Sequence, residues 1–290
     1  MNSSDSATAL AAEDSARTAG PVVPADAPAR QQLADQLALE IRSRWAGRDL
    51  DRVLGGLDIW CYRKTPDTLP GQRAIGFYMP GLPATPWIDP ERYPCAQMVR
   101  EAYPAIREET ARFMDGRLTA PPHGLPEDAP GDAAALPTRP EGWREWRMAL
   151  MGRLIEPRLR DFPQTTRLLK RVMEVSPFLV NALFLTMRPG TVLGRHVDPV
   201  NAWSDLWLGL YVPEGAGIEV NGETRVPEEG GLLGFDHSFV HSAWNKGSQD
   251  RIVMSLLLPH PELTPYECEI AGFLMPQLTR FGFRLKQTLY

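Results

Sequence analysis

The chain is poor in cysteine. Its three thiols, Cys61, Cys95 and Cys268, are scattered through 290 residues, which makes neither a disulfide framework nor a Cys-x-x-Cys metal site. A reducing cytoplasm is the simplest setting for such a chain. It also lacks any run of about eighteen apolar residues, so no segment reads as a membrane span. Basic residues are in deficit: 31 Lys and Arg against 36 Asp and Glu leave a formal net charge of −5. Without a basic excess, neither nucleic acid nor an anionic membrane is an expected partner. The opening MNSSDSATALAAEDSARTAG has no basic n-region and no apolar h-region, so it does not read as a secretory signal. Residues 1 to 27 are rich in Ala, Ser, Asp and Pro with no apolar period, the composition of a disordered lead-in.

What remains is ordinary globular material, 43% hydrophobic and 23% charged, long enough to bury roughly 75% of its unfolded surface. Residues 28 to 290 read as one domain, mainly β with flanking helices. Leu33, Leu37, Leu39, Ile41 and Trp45 predict an amphipathic helix from Pro28 to Ala46. LDIWCYR (57 to 63) and RAIGFYM (73 to 79) read as strands around a turn-rich PDTLPGQ. A helix is expected from Asp89-Pro90 through Met114, and helical pieces from Trp143 to Val175. Between them lies a Pro-rich loop, residues 116 to 141, long enough for a lid or an unstructured connection. From about 177 to 260 the apolar residues come in short blocks cut by turns, with Asn221-Gly222 between GIEV and ETRV as the strongest hairpin signal. That pattern predicts an antiparallel sandwich or jelly roll. A last helix is expected over Pro265 to Arg284.

Histidine is scarce as well, five residues in all, and two of them sit where a metal could use them. His196-Val197-Asp198 follows a strand and a Pro189-Gly190 turn. In extended chain, positions i and i+2 point to the same side. His241 stands 45 residues on, beside another expected strand. Two imidazoles and a carboxylate on one face of Fe(II) leave positions for a bidentate 2-oxo acid and for O₂. Arg251, ten residues after His241, opens the otherwise apolar RIVMSLLLP. A buried guanidinium needs a partner, and a dicarboxylate would match its fork. Each residue alone also has a plainer reading, as a hydrogen-bonded core histidine or half of an ion pair.

The stretch from Phe184 to Leu263 resembles the aspartyl/asparaginyl β-hydroxylase family of 2-oxoglutarate oxygenases. The resemblance is carried by MRPGT (187 to 191), His196, Asn201, LGLYVP (208 to 213), FDHSFVHSAWN (235 to 245), Arg251 and HPEL (260 to 263). The upstream PGLPATPWIDPERYP (80 to 94) extends it. It implies a double-stranded β-helix (a jelly roll, cupin-like) that binds Fe(II), with 2-oxoglutarate as cosubstrate and O₂ as oxidant. The implied metal ligands are His196, Asp198 and His241, and Arg251 grips the distal carboxylate of 2-oxoglutarate. Asp198 completes a facial triad where some members have Gly, which argues against halogenation. The family's basic pair after the first ligand is replaced by Asp205 and Trp207, so the other carboxylate must be held differently. Arg188 and Arg195 are alternatives for that task, with Trp207 also assigned to the cosubstrate site.

Around the ligands, Asn201, Trp203, Asp205 and Trp244 are further candidates for contact with substrate, the tryptophans as an aromatic wall. Asp205 would favour an amine over an acid. His237 reads as a second-layer or structural residue, His260 as a strand-to-helix junction, His123 as solvated, and Cys268 as packed. The implied activity is hydroxylation of an unactivated C–H of a small-molecule amino acid, a carrier-bound aminoacyl group or a peptide. Desaturation or cyclisation by the same machinery, and a non-catalytic jelly-roll binding module, stay open as alternatives.

Overall fold

The computed structural model describes residues 24–73, 76–114, 116, 119–120, 140–176 and 178–288, with side chains through Phe281. The expected lead-in falls outside these residues except for its last few, and Ala27 already opens a helix. Most of the Pro-rich 116 to 141 segment, His123 included, also lies outside them.

Eleven strands form two antiparallel sheets among the described residues. The larger runs β1 (Trp87–Ile88), β9 (Leu232–Phe235), β6 (Trp203–Tyr211), β11 (Arg251–Pro259), β4 (Asn181–Met187), β2 (Trp143–Leu150) and β3 (Arg153–Leu154). The smaller runs β5 (Val192–His196), β10 (His241–Asn245), β7 (Ala216–Val220) and β8 (Glu223–Arg225). From β4 to β11 the chain passes back and forth between the two sheets, the winding of a double-stranded β-helix. The expected hairpin is present: Asn221 (φ 50°) and Gly222 (φ 85°) turn the chain between β7 and β8, with Val220 opposite Glu223.

Strand β4 shows why this half reads as apolar blocks. Leu183, Leu185 and Met187 point between the sheets, while Ala182 and Phe184 pack under an outer layer of helices. Both faces are buried, so the polar half of the usual alternation disappears. The outer layer is α3 (Ala96–Glu101), α4 (Tyr103–Met114), α5 (Glu156–Leu159) and α6 (Pro163–Val175). The first helices among the described residues, α1 (Ala27–Arg44) and α2 (Asp51–Trp60), pack with α7 (Pro265–Thr288) in a second core around Ile41, Leu57, Trp60 and Leu274.

Four local expectations are corrected. LDIWCYR is no strand: its apolar residues complete α2, whose Val53, Leu57 and Trp60 share one buried face. Gly56 lets that helix press on the chain at 77–78, since a Cβ there would lie 2.8 Å from Phe77 and 2.9 Å from the Tyr78 carbonyl. RAIGFYM adds no strand among its described residues. The helix expected through Met114 is broken into a 3₁₀ turn (Pro90–Arg92), α3 and α4, and the first helical piece after residue 142 is β2 instead.

Candidate metal centre and the cavity around it

His241 opens β10 and His196 closes β5, and the two residues face each other in register across the antiparallel pair. Their ring centroids are 4.1 Å apart. The His196 Nδ1 lies 2.8 Å from the Gly194 carbonyl and the His241 Nδ1 2.9 Å from the Phe239 carbonyl. A carbonyl only accepts, so each Nδ1 carries the proton and each Nε2 keeps its lone pair. Asp198 stands just past the end of β5 rather than within it, its backbone N–H donating to the His237 carbonyl at 2.9 Å. One ligand atom from each of His196, Asp198 and His241 lies within 4.8 Å of the others. Burial holds the His241 pKa down to about 4, with His196 pushing the same way and Asp198 opposing. The ring is therefore neutral near pH 7, the form that binds metal.

These side chains line a cavity of ≈ 110 Å³ between the sheets, together with Asp205, Trp207, His237 and the β2 residues Glu145 and Arg147. Asp205 is fully engaged. Its Oδ1 accepts from Ser255 Oγ (2.7 Å) and Trp207 Nε1 (3.3 Å), and its Oδ2 from His237 Nδ1 (3.0 Å). His237 is 3% exposed, its Nε2 donates to the Val200 carbonyl at 2.8 Å, and its Nδ1 is 3.7 Å from Asp198. Burial by itself would lower its pKa, but Asp205, Asp198 and Asp236 outweigh that and raise it to about 9. It is an imidazolium at neutral pH, paired with the Asp205 carboxylate.

Arg251 has 0% exposure. Its Nη1 donates to Met187 Sδ at 3.0 Å, a weak acceptor, and its guanidinium lies 4.7 Å from the Trp207 ring centroid. Nε and Nη2 have no hydrogen-bond partner among the described residues. Burial pulls its pKa down to about 9, still well above neutral pH. A desolvated cation with empty donors costs several kcal/mol unless an anion joins it. The donor set therefore fits a metal, and the orphaned guanidinium fits the carboxylate of a dicarboxylate cosubstrate.

The other sequence candidates scatter. Arg188 is exposed and lines a different cavity, with Phe113, Thr186 and Asp250. Arg195 points outward, 3.0 Å from Glu219. Asn201 is a structural clamp, its amide bonded both ways to the Met79 backbone at 2.7 and 2.9 Å. Trp203 packs in the second core against Phe178. Trp244 packs over Gly217 with Lys246 near its ring. None of these five lines the metal-centre cavity. Asp205 does, but its hydrogen bonds leave it a support for its neighbours rather than a free amine acceptor. His260 is the expected junction residue, capping the Glu262 backbone N–H at 3.2 Å, and Cys268 is packed.

Sequence reasoning missed Glu145, Arg147, Asn181 and Ser255, all cavity residues. The available signal was period two in Trp143, Glu145 and Arg147, which alternation would have placed on one strand face.

A model of the aspartyl/asparaginyl β-hydroxylase family matches residues 100–261. The aspartyl/asparaginyl β-hydroxylase of Mus musculus is 32% identical over 202 residues, covering 68% of this chain and 26% of that protein. Aspartate β-hydroxylase domain-containing protein 2 of Homo sapiens is 28% identical over 211 residues, covering 70% and 55%. The ornithine lipid ester-linked acyl 2-hydroxylase of Rhizobium tropici is 28% identical over 183 residues, covering 62% of each chain. The matched stretch thus spans only about a quarter to three fifths of these relatives.

Proposed function

The chain belongs to the aspartyl/asparaginyl β-hydroxylase family, and on that premise we propose that it is an Fe(II)- and 2-oxoglutarate-dependent dioxygenase. Its reaction is hydroxylation of an unactivated C–H bond of an amino acid, a carrier-bound aminoacyl group or a peptide side chain. The observation that carries this reading is the convergence of His196, Asp198 and His241 within 4.8 Å, with each Nδ1 taken by a backbone carbonyl so that Nε2 is the ring nitrogen left for a metal. Iron, when bound, supplies the oxidising power by using O₂ while 2-oxoglutarate is split to succinate and CO₂.

The chain's own residues do the rest. The Gly194 and Phe239 carbonyls fix the ring orientations of the two histidines, the support that metal-binding imidazoles require. Asp198 contributes the negative charge. Arg251 receives the distal carboxylate of 2-oxoglutarate, and because Trp207 covers the guanidinium, the indole must swing aside or slide to admit it. Leu183, Leu185, Phe235 and Leu257 wall the cavity and keep water from the reacting bond.

The test is succinate formation on adding Fe(II), ascorbate and 2-oxoglutarate to the wild-type protein, against His196→Ala and His241→Ala. Both variants are expected to melt as cooperatively as wild type and to form no metal-dependent succinate. Full activity in either removes the site, and metal binding by wild type without any succinate would favour a binding module.

A further inference from the structure

We infer that the substrate is recognised at the β2–β4 side of the cavity, by Arg147 and Asn181, and that the group recognised is a free α-amino carboxylate. This rests on the oxygenase reading and selects the free amino acid from the substrates it leaves open. Arg147 stands opposite Leu183 in the β2–β4 pair, and Asn181 is two residues back on the same face of β4. Both side chains line the cavity that His196, Asp198 and His241 line.

Their chemistry is complementary. Arg147 is 7% exposed, and Glu145 Oε2 holds its Nη2 at 3.2 Å, while Glu145 Oε1 accepts from Trp143 Nε1 at 3.0 Å. Glu145 thus has two neighbours that fix it, and the guanidinium is pre-oriented along the cavity wall. Asn181 offers the opposite group: its Oδ1 is a buried acceptor with no hydrogen-bond partner among the described residues. The cavity's carboxylates at 145 and 205 already accept from protein donors, so an incoming N–H finds its acceptor at Asn181. A planar guanidinium beside an unmet amide oxygen calls for a carboxylate next to an N–H donor. An α-amino carboxylate offers both partners on adjacent atoms, the carboxylate for the guanidinium and the N–H for the amide oxygen. The rest of such a substrate then extends along Leu183 towards the metal ligands.

The experiment uses the full chain with L-amino acids, their methyl esters and their des-amino analogues. Succinate release is followed with iron, and ligand-induced rise in melting temperature with zinc in its place plus 2-oxoglutarate. At least one free amino acid should bind and be oxidised, with either chemical change weakening it by roughly ten- to hundred-fold. Arg147→Gln should erase the preference for acid over ester. Because that variant strands Glu145, the charge-balanced Glu145→Gln/Arg147→Gln pair is run beside it. Asn181→Leu, which strands no charge, should erase the preference for the amine over its des-amino analogue. Equal binding of acid and ester by wild type, unchanged preferences in the variants, or preference for aminoacyl thioesters or peptides over every free amino acid would each overturn the inference. A wild-type protein that forms no succinate with Fe(II) and 2-oxoglutarate, under any of these additions, fails at the oxygenase reading instead.

Discussion

The wall of the cavity and the layer behind it treat buried positive charge in opposite ways. In the wall, Arg147 meets Glu145 at 3.2 Å and His237 meets Asp205 at 3.0 Å. Behind the wall residue Trp207, Arg251 is buried as well and finds only a thioether and the face of that indole. A buried cation whose counter-ion is built into the fold orients its surroundings in every state of the protein. One without a counter-ion is a cost carried by the empty protein and relieved only when an anion arrives. The first arrangement belongs to a scaffold or a pre-set recognition wall, the second to a ligand's own subsite.

Substitutions can break this contrast, and the largest effect is expected in the wall. Arg147→Met leaves Glu145 buried without its cation and should cost about 3–5 kcal/mol in urea unfolding of the metal-free protein. A loss below about 1 kcal/mol would mean that the pair is not a structural unit.

Next comes the pH dependence of the other wall pair. His237 has its folded pKa raised from 6.5 to about 9, so the folded state holds the proton more tightly than the unfolded one. Its contribution is fully present below about pH 6.5 and is lost as the pH rises through about 9, on the order of 3 kcal/mol in all. Unfolding free energies of metal-free wild type and His237→Gln, compared from pH 6 to 9.5, should converge across that window. Parallel curves would contradict the paired imidazolium.

The layer behind the wall should behave in reverse. Arg251→Met is expected to leave the empty protein as stable as wild type or more stable, because it removes an unpaired charge. In the same variant, 2-oxoglutarate affinity should fall roughly ten- to hundred-fold, the worth of a charge-assisted set of about 1.5–3 kcal/mol. Thermal melts with and without 2-oxoglutarate read both quantities. Marked destabilisation of the empty protein together with unchanged affinity would dissolve the distinction between the wall and the layer behind it. Trp207→Phe should have the smallest effect, a several-fold change in 2-oxoglutarate association rate at nearly constant stability, since it keeps an aromatic ring over Arg251 but drops the 3.3 Å bond to Asp205.

The back half of the chain was legible because its signals are local. Short apolar blocks, Asn221-Gly222 and the turn residues between blocks each specify a strand or its end within a few positions. His196, Asp198, His241 and Arg251 could be picked out by residue type and spacing. Strand β2 was read as helix because two of its inward positions carry Glu145 and Arg147, which spoil the apolar alternation at the point where the strand borders the cavity. LDIWCYR misled for a different reason. Taken alone it is β-branched and aromatic, and only with Asp51 and Val53 included does the 3.6-residue period of α2 emerge. The error at Asp205 was one of partnership: an acidic residue beside a metal motif looks available until Ser255, Trp207 and His237 are seen to use its oxygens.

Sequence by itself determined the chemical repertoire of this protein: scarce histidines at fixed intervals, one arginine at the head of an apolar strand, and short apolar blocks that must pair. The tertiary structure decided which of those groups share a cavity and which charges already have partners. Strand neighbours such as β2 and β4, or His241 opposite His196, are joined by register across tens of residues. Whether a buried charge is satisfied depends on that register, which nearby sequence does not encode.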